Sequence, residues 1–548
     1  MGDTCQDKPG DSTEYLPSFS EIRAALHDER ASRLALAIIF IAGFGLRLAY
    51  LFQPLTGDEA ATYVQVASHS LSVGLRYYPA PNNHLLNTFF VHFSTRVFGS
   101  AEWAIRLPAL IFGLLIIPAT YLVIRRLLGR YPALFATVVV AFAPVMVFYS
   151  TTARGYSVQT LIFLCLVWLS LDIRAKGMSI KRSILFFLLS SLGFYAIPTM
   201  LYFWVGLVLW LAISAIVSDT HDTRGRFFIW LGGICAGTLI LTFLLYLPVV
   251  LFSGLKSLIA NEWVAPKSWF WSQLTQDLKS IWVQWHLNMS LVIGIIVFAG
   301  FLLSLVFYRK ICRCRVNLML VLVVSPVVIV LIQRANIFAR IWLPLFPLYC
   351  GFSFAGLFYT GKWLGAHVKL REDVVLRLKS YMPELLAVVV VAIFSVLLVA
   401  QSGHPINEDG KTLFGVPNVA TVIKAVRPYM GKSGMLCVGE WPAPLYQYYY
   451  ERLGLPIKQF APNKRIDAGK NSAPISHPSE YILLFTGDKN KYSEQPGGRM
   501  SDYDLQLSLA LWTAQQRGLD WKGTKTGFAI VNELKIGDYH VLFAKNNP

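Results

Sequence analysis

Asp58 and Glu59 stand side by side in LTGDEAATYVQVA, just past the first long apolar segment. A carboxylate placed there can accept the proton of an attacking hydroxyl or amine, so both are candidate catalytic residues. A plainer reading competes. Thr56 to Glu59 has the spacing of a capping box, with Thr56 as N-cap and Glu59 three residues on. Acids in a first helical turn also complement the helix dipole. Arginines offer a second chemistry. Arg154 is the single charge in STTARGYS, and Arg334 and Arg340 bracket the turn in QRANIFAR. A guanidinium forks onto phosphate oxygens, which makes these three candidate phosphate ligands. The bland alternative is an arginine snorkelling to a membrane surface. His84 in PAPNNHLLN is a further candidate substrate contact, as are Tyr63 and Tyr156. His69, His84 and His92 are too widely spaced for a local metal motif, so no metal site is expected from them.

The elements that must carry these residues are membrane helices. The chain has 548 residues and is 55% hydrophobic. Nearly uncharged stretches fall at 34–46, 107–124, 133–149, 157–171, 183–217, 227–252, 289–307, 316–332, 341–360 and 385–401. The stretch at 183–217 holds a pair of spans broken near Pro198. Crossing the hydrocarbon takes about 20 helical residues, so the pattern predicts about eleven transmembrane helices. An open sheet would leave its backbone unpaired in lipid, so the fold class is mostly α. Arg47 lies inside the first span, where a structural pairing with an acid of another helix is expected. Pro344 and Pro347 should kink the span that follows Arg340.

The net charge of +18 reports topology. Lys and Arg cluster at 125–130, 174–182, 224–226, 309–315 and 362–379, in every second loop, which the positive-inside rule makes cytoplasmic. No basic soluble domain with interleaved aromatics is present, so no nucleic acid is expected as partner. Residues 1–32 are then cytoplasmic, 33–401 form the membrane domain, and 402–548 form a soluble domain on the outer side. In that domain GMLCVGEWPAPLYQYYYERLG reads as strand, turn and helix, and YILLFTG and YHVLFA read as strands, an α/β pattern. The outer loops are rich in Trp and Tyr, and SLIANEW and SQLTQDLKSIWVQW have the spacing of helices lying in the membrane interface. The seven cysteines are scattered and outline no disulfide framework.

GDEAATY, then NNHLLNTFFVHFSTRVFGSAEWAIRLPALIFGLLIIPATYLVIRRLLG, then APVMVFYSTTARGYS, then ARIWLPLFP, in that order, resemble the GT-C glycosyltransferases. Within them the sequence is most similar to the bacterial protein O-mannosyltransferase and aminoarabinose-transferase group. The resemblance covers residues 35–360 and is most specific over 82–156. It implies a GT-C fold in the bacterial cytoplasmic membrane. It also implies transfer of a sugar from a polyprenyl-phosphate donor to a glycan, lipid or protein acceptor on the outer side. The reaction would invert the anomeric centre with Asp58 as general base. Membrane lipid would be a further partner and no nucleotide sugar would be needed, in keeping with the absence of a P-loop or dinucleotide fingerprint. One departure matters. Relatives carry Glu in the turn after the third span, in a form like SREARPY, where this chain has Thr152, and Gly155 stands where Pro is common. Without that second acid no cofactor is expected, a divalent metal included, and the phosphate falls to Arg154 and Arg340, with Arg334 third. Two other readings stay open. A transporter or flippase for lipid-linked saccharides would place its charges at the bilayer midplane. A non-catalytic assembly protein would not bring Asp58, Arg154 and Arg340 together.

Overall fold

A computed structural model describes residues 16–78, 81–218, 221–260, 265–286, 290–335, 338–367, 419–429, 435–438, 443–455, 460–461, 480–486, 528–536 and 539–546. Helix α1 (Phe19–Asp28) opens with a Ser18 capping box and runs into α2 (Arg30–Leu51), the first long apolar helix. The loop after it holds α3 (Gly57–Thr62), a π-helical turn over Tyr63–Ala67, α4 (Leu71–Arg76) and α5 (Leu85–Phe98). The bundle continues with α6 (Glu102–Leu128), α7 (Arg130–Phe142), α8 (Pro144–Ser150), α9 (Tyr156–Lys176), α10 (Ile180–Ala196), α11 (Met200–Ser218) and α12 (His221–Ser253). Short α13 (Lys256–Ile259) and amphipathic α14 (Phe270–Trp285) follow. Then come α15 (Leu291–Val306), α16 (Tyr308–Ile311), α17 (Leu318–Gln333), a 3₁₀ segment over Ala339–Leu345 and α18 (Phe346–His367).

This is a polytopic membrane protein. Among the described residues six helices are long and apolar enough to cross a bilayer, and α7 with α8, bent by 59°, makes a seventh if the pair is one broken span. Helices α15 and α17 are apolar but shorter, and α10 with 17 residues reaches about 25 Å. The expected break near Pro198 lies between α10 and α11, where Ile197 is extended. The expected span at 385–401 lies outside the described residues.

Prolines shape the bundle, though not always as the sequence suggests. Pro344 sits inside the 3₁₀ segment and Pro347 in the first turn of α18. A missing N–H is harmless in a first turn, so a 3₁₀-to-α change within one membrane-length helix replaces the expected kink. Pro144 is different. It has no N–H to offer Val140, and the bend frees carbonyls in the interior. Buried Arg47 meets them, donating to Val140 O (3.3 Å), Ala141 O (2.7 Å) and Gly43 O (3.0 Å). The acid expected as its partner is replaced by backbone, because an unpaired carbonyl in hydrocarbon costs several kcal/mol, of order 2–7.

One end of the bundle is tied by ion pairs. Glu29, between α1 and α2, accepts two hydrogen bonds from Arg125 (2.8 and 2.9 Å), and Arg126 pairs with Asp172 at 2.7 Å. Arg125 and Arg126 belong to the 125–130 cluster read as basic from the sequence. At the amphipathic helix α14, Trp271, Leu278 and Val283 are exposed while Phe270 is buried.

The C-terminal region holds α19 (Val419–Val426), β1 (Met435–Val438), α20 (Ala443–Arg452), β2 (Phe460–Ala461), β3 (Glu480–Thr486), β4 (Phe528–Ile536) and β5 (Tyr539–Asn546). The sheet order is β2-β1-β3-β5-β4. Strand β1 runs parallel to β2 and β3, whereas β3, β5 and β4 are antiparallel. Strand β4, FAIVNELKI, is an addition to the strands read from the sequence.

The crossing of α6 and α8 sets where the chain leaves α8 for the turn that carries Arg154. A Cβ on Gly113 of α6 would lie 2.9 Å from Ser150 Cα of α8, closer than any side chain tolerates. We expect Gly113→Ala to destabilise the bundle by about 1–3 kcal/mol, read as a lower melting temperature in detergent. Ser150→Gly added to it should recover part of the loss; an unchanged melt in Gly113→Ala would show that the helices do not cross at these residues.

Candidate active site

The site is assembled on the loop between α2 and α6. Thr56 caps α3: its Oγ1 accepts from Glu59 N (3.3 Å), and Glu59 Oε2 accepts from Thr56 N (2.8 Å). The capping box is therefore real, and Glu59 does more than close it. Glu59 is fully buried and takes both Arg106 Nε (2.7 Å, Oε1) and Arg106 Nη2 (2.7 Å, Oε2). Its Oε1 also accepts from Ala153 N at 2.8 Å, in the turn after α8. Four donors thus occupy a carboxylate with about four acceptor positions. Arg106 donates in addition to Leu51 O (3.1 Å), Gln53 O (2.6 Å) and Pro54 O (2.8 Å). Such a carboxylate holds the loop and has no free face for a substrate proton.

Asp58, one residue earlier, points elsewhere. Its side chain is 21% exposed, and its Oδ2 lies 3.6 Å from Arg154 Nη2 and 3.7 Å from Arg340 Nη1. These gaps exceed hydrogen-bond length, so the charges face one another without being locked. Arg154 is buried, donates through Nη1 to Asn82 O (3.0 Å), and has Nη2 3.5 Å from His84 Nε2. Arg340 leans on the Phe338 ring, 4.6 Å from its centroid. Among the described residues one carboxylate, Asp58, thus faces two guanidiniums.

His84 is buried beside this cluster as the N-cap of α5. Its Nδ1 accepts from Gly155 N at 2.8 Å, so in the neutral ring the proton sits on Nε2, facing Arg154. Burial first, then the charges of Arg154 and Arg340, hold its pKa well below the ordinary 6.5. Gly155 makes this contact possible, since a Cβ there would stand 3.0 Å from His84 Cβ and 3.2 Å from Ala196 O. Tyr156 packs edge-on against His84 at 5.2 Å and against Tyr149 at 4.8 Å. Asn83 donates to Gly74 O (2.9 Å) and Tyr77 O (2.8 Å), and Asn87 donates to Ala153 O (3.0 Å). The NNHLLN segment is thereby knotted to both the loop and the arginine turn.

Two sequence candidates sit apart. Tyr63 edges onto Tyr448 at 5.8 Å, toward the C-terminal region. Arg334 is exposed at the left-handed C-cap of α17 (φ 51°), and its carbonyl accepts from Lys267 N. Arg106 is the functional residue that sequence reading passed over. It stands in the AIRLP segment at the start of α6, on the side that the charge pattern of the sequence reads as outer and where arginine is disfavoured, and that was its signal.

Residues 82–246 match the family model described as dolichyl-phosphate-mannose-protein mannosyltransferase. Two solved structures of ArnT from Cupriavidus metallidurans align over nearly the whole chain. The apo form has 14% identity and a TM-score of 0.56, covering 95% of this chain and 98% of that one. The form bound to undecaprenyl phosphate has 14% identity and a TM-score of 0.54, covering 93% and 97%. At that identity the likeness shows the fold. No curated protein sequence matches. The architecture is that of the GT-C class. Residues 82–246 are thus similar to the protein mannosyltransferases, and the chain as a whole shares the membrane fold of ArnT.

Two outcomes test the site. Glu59→Ala strands a buried guanidinium and should cost about 3–5 kcal/mol, seen as poor expression and a depressed melt. Asp58→Asn should melt like the wild type. Equal melting of all three proteins would contradict the division of labour between the two acids. For His84, the unfolded chain takes up a proton near 6.5 that the folded site refuses. The stability tied to the neutral ring is therefore full above that value and lost as pH falls toward the lower folded pKa. On acidification the wild-type melting temperature should fall more steeply than that of His84→Gln; parallel slopes would exclude a buried neutral imidazole.

Proposed function

We propose that the protein transfers a sugar from a polyprenyl-phosphate carrier to an acceptor hydroxyl or amine on the outer side of the bacterial cytoplasmic membrane, with inversion. The convergence of Asp58, Arg154 and Arg340 carries this reading. An anionic phosphate suits two converging guanidiniums, and ArnT has been solved with undecaprenyl phosphate. Asp58 takes the acceptor proton as the nucleophile attacks the anomeric carbon. The bond from that carbon to the phosphate oxygen breaks, and the polyprenyl phosphate leaves with the electron pair. Arg154 and Arg340 meet the charge that develops on it.

The donor set favours guanidinium over a metal as the phosphate partner. The neighbouring acid, Glu59, is spent on Arg106, and Thr152 turns its hydroxyl back to Phe148 O at 2.7 Å. The positions of the charges favour an enzyme over a flippase. Asp58 follows α2, Arg154 precedes α9 and Arg340 opens the last described span, so all three sit at helix ends. In this reading residues 1–32 are cytoplasmic, 33–401 form the catalytic membrane domain and 402–548 an outer domain.

Asp58→Asn should fold and bind undecaprenyl phosphate but lose about 10²–10⁴-fold in turnover. Wild-type turnover in that variant would remove Asp58 from the chemistry. Arg340→Ala should weaken undecaprenyl phosphate binding about 10- to 100-fold, the worth of a charge-assisted bond. Titration by intrinsic fluorescence measures this, and an unchanged affinity rejects the phosphate role.

A further inference from the structure

The segment that delivers Asp58 has no regular structure of its own. Between the end of α2 and the Thr56 cap its backbone is held by side chains. Arg106 takes the carbonyls of Leu51, Gln53 and Pro54, and Glu59 takes the amide of Thr56. The amide of Leu55 is held from the C-terminal region: it donates to Tyr449 Oη at 2.9 Å. Tyr449 is 3% exposed. It lies on α20, three residues after buried Tyr446 and hence on the same helical face.

A second, independent observation concerns packing. Leu55, Ala60, Val64 and Ala153 belong to a small apolar core that Tyr446 and Tyr449 complete, and this core is separate from the main core of the bundle. Ala60 lies two residues beyond Asp58, and Ala153 is adjacent to Arg154. Both halves of the charged cluster therefore rest partly on α20. Tyr448 packs in the same core, but the other polar contacts of this helix go elsewhere: Tyr448 Oη donates to Ser100 O (2.8 Å), and Arg452 pairs with Glu102 at 2.8 Å, at the foot of α6.

From this geometry we infer that Tyr449 is a positioning residue for transfer, fixing the approach of Asp58 to Arg154 and Arg340 through the Leu55 amide. The inference rests on the transfer reading above. It makes the C-terminal region a working part of the site. A tilt or slide of the Asp58 segment leaves the arginines where they are, so donor binding survives while the rate suffers.

The test uses the full-length protein in native membranes and compares Tyr449→Phe with Tyr448→Phe. Each variant removes one hydroxyl from the same helix and keeps the ring, but only the hydroxyl of Tyr449 is hydrogen-bonded to the Asp58 segment. Release of undecaprenyl phosphate from the endogenous lipid-linked sugars reports turnover. Binding of added undecaprenyl phosphate reports the donor site, and hydrogen exchange over residues 51–58 reports the anchor. Tyr449→Phe should slow release roughly 10- to 100-fold, the scale of a small misplacement of a reacting group. It should speed exchange in that segment and leave undecaprenyl phosphate affinity within about twofold, while Tyr448→Phe changes none of the three. Equal slowing by both variants, unaltered release in Tyr449→Phe, or loss of its undecaprenyl phosphate binding would each overturn the inference. A wild type that releases no undecaprenyl phosphate would defeat the transfer reading instead. The exchange comparison then decides on Tyr449 alone, with unaltered exchange in Tyr449→Phe as the refuting result.

Discussion

The buried pair of Arg106 and Glu59 is the interaction on which the site depends. A guanidinium has five N–H donors, and Arg106 makes five hydrogen bonds: two to Glu59 and three to carbonyls of the loop. Glu59 in turn receives four. Taking two charges out of water is costly, and Coulomb attraction offsets that cost only when the remaining donors and acceptors are also met. Here they are met by the backbone of the loop itself. The pair is therefore stable only while the loop from Leu51 to Glu59 and the turn at Ala153 are in place, which makes their geometry collective.

That collective knot explains why adjacent acids have different environments. Successive helical residues point about 100° apart, in step with 3.6 residues per turn. With Glu59 fixed inward on Arg106, Asp58 must face out of the knot, toward Arg154 and Arg340. The same Ala153 amide that binds Glu59 precedes Arg154, so the acid and its guanidinium neighbour are placed by one carboxylate. Gly155 then lets His84 close on the turn, and the cluster gains a neutral imidazole beside its charges.

Membrane burial imposes the same rule deeper in the bundle. The bend at Pro144 releases carbonyls where no water can satisfy them, and Arg47 answers with its guanidinium. At the opposite end from the knot, Glu29 and Asp172 gather the arginines that close α6. Polar groups inside this protein are thus distributed by the demand of the backbone for partners. Charge pairing is one of several ways of meeting that demand.

The apolar runs made the helical membrane fold legible, because about 20 uncharged residues in succession have few other stable states. The Thr56 capping box was equally legible, being a contact between residues three apart. So were the break at Pro198 and the strands β1, β3 and β5, which follow from local periodicity and proline chemistry. The candidate acid and arginines could be named from residue type and motif order, but their grouping could not. Asp58, Arg154 and Arg340 are separated by long stretches of chain, and nothing local says that Arg340 joins them while Arg334 faces out. The partner of Arg47 was misjudged for a related reason: a carbonyl freed by a bend is invisible until the bend is seen. Sequence by itself determined which elements form and which residues have the chemistry. Tertiary structure decided which of two adjacent acids is buried on an arginine and which is left to face the site, because that choice depends on long-range hydrogen bonds that no spacing encodes.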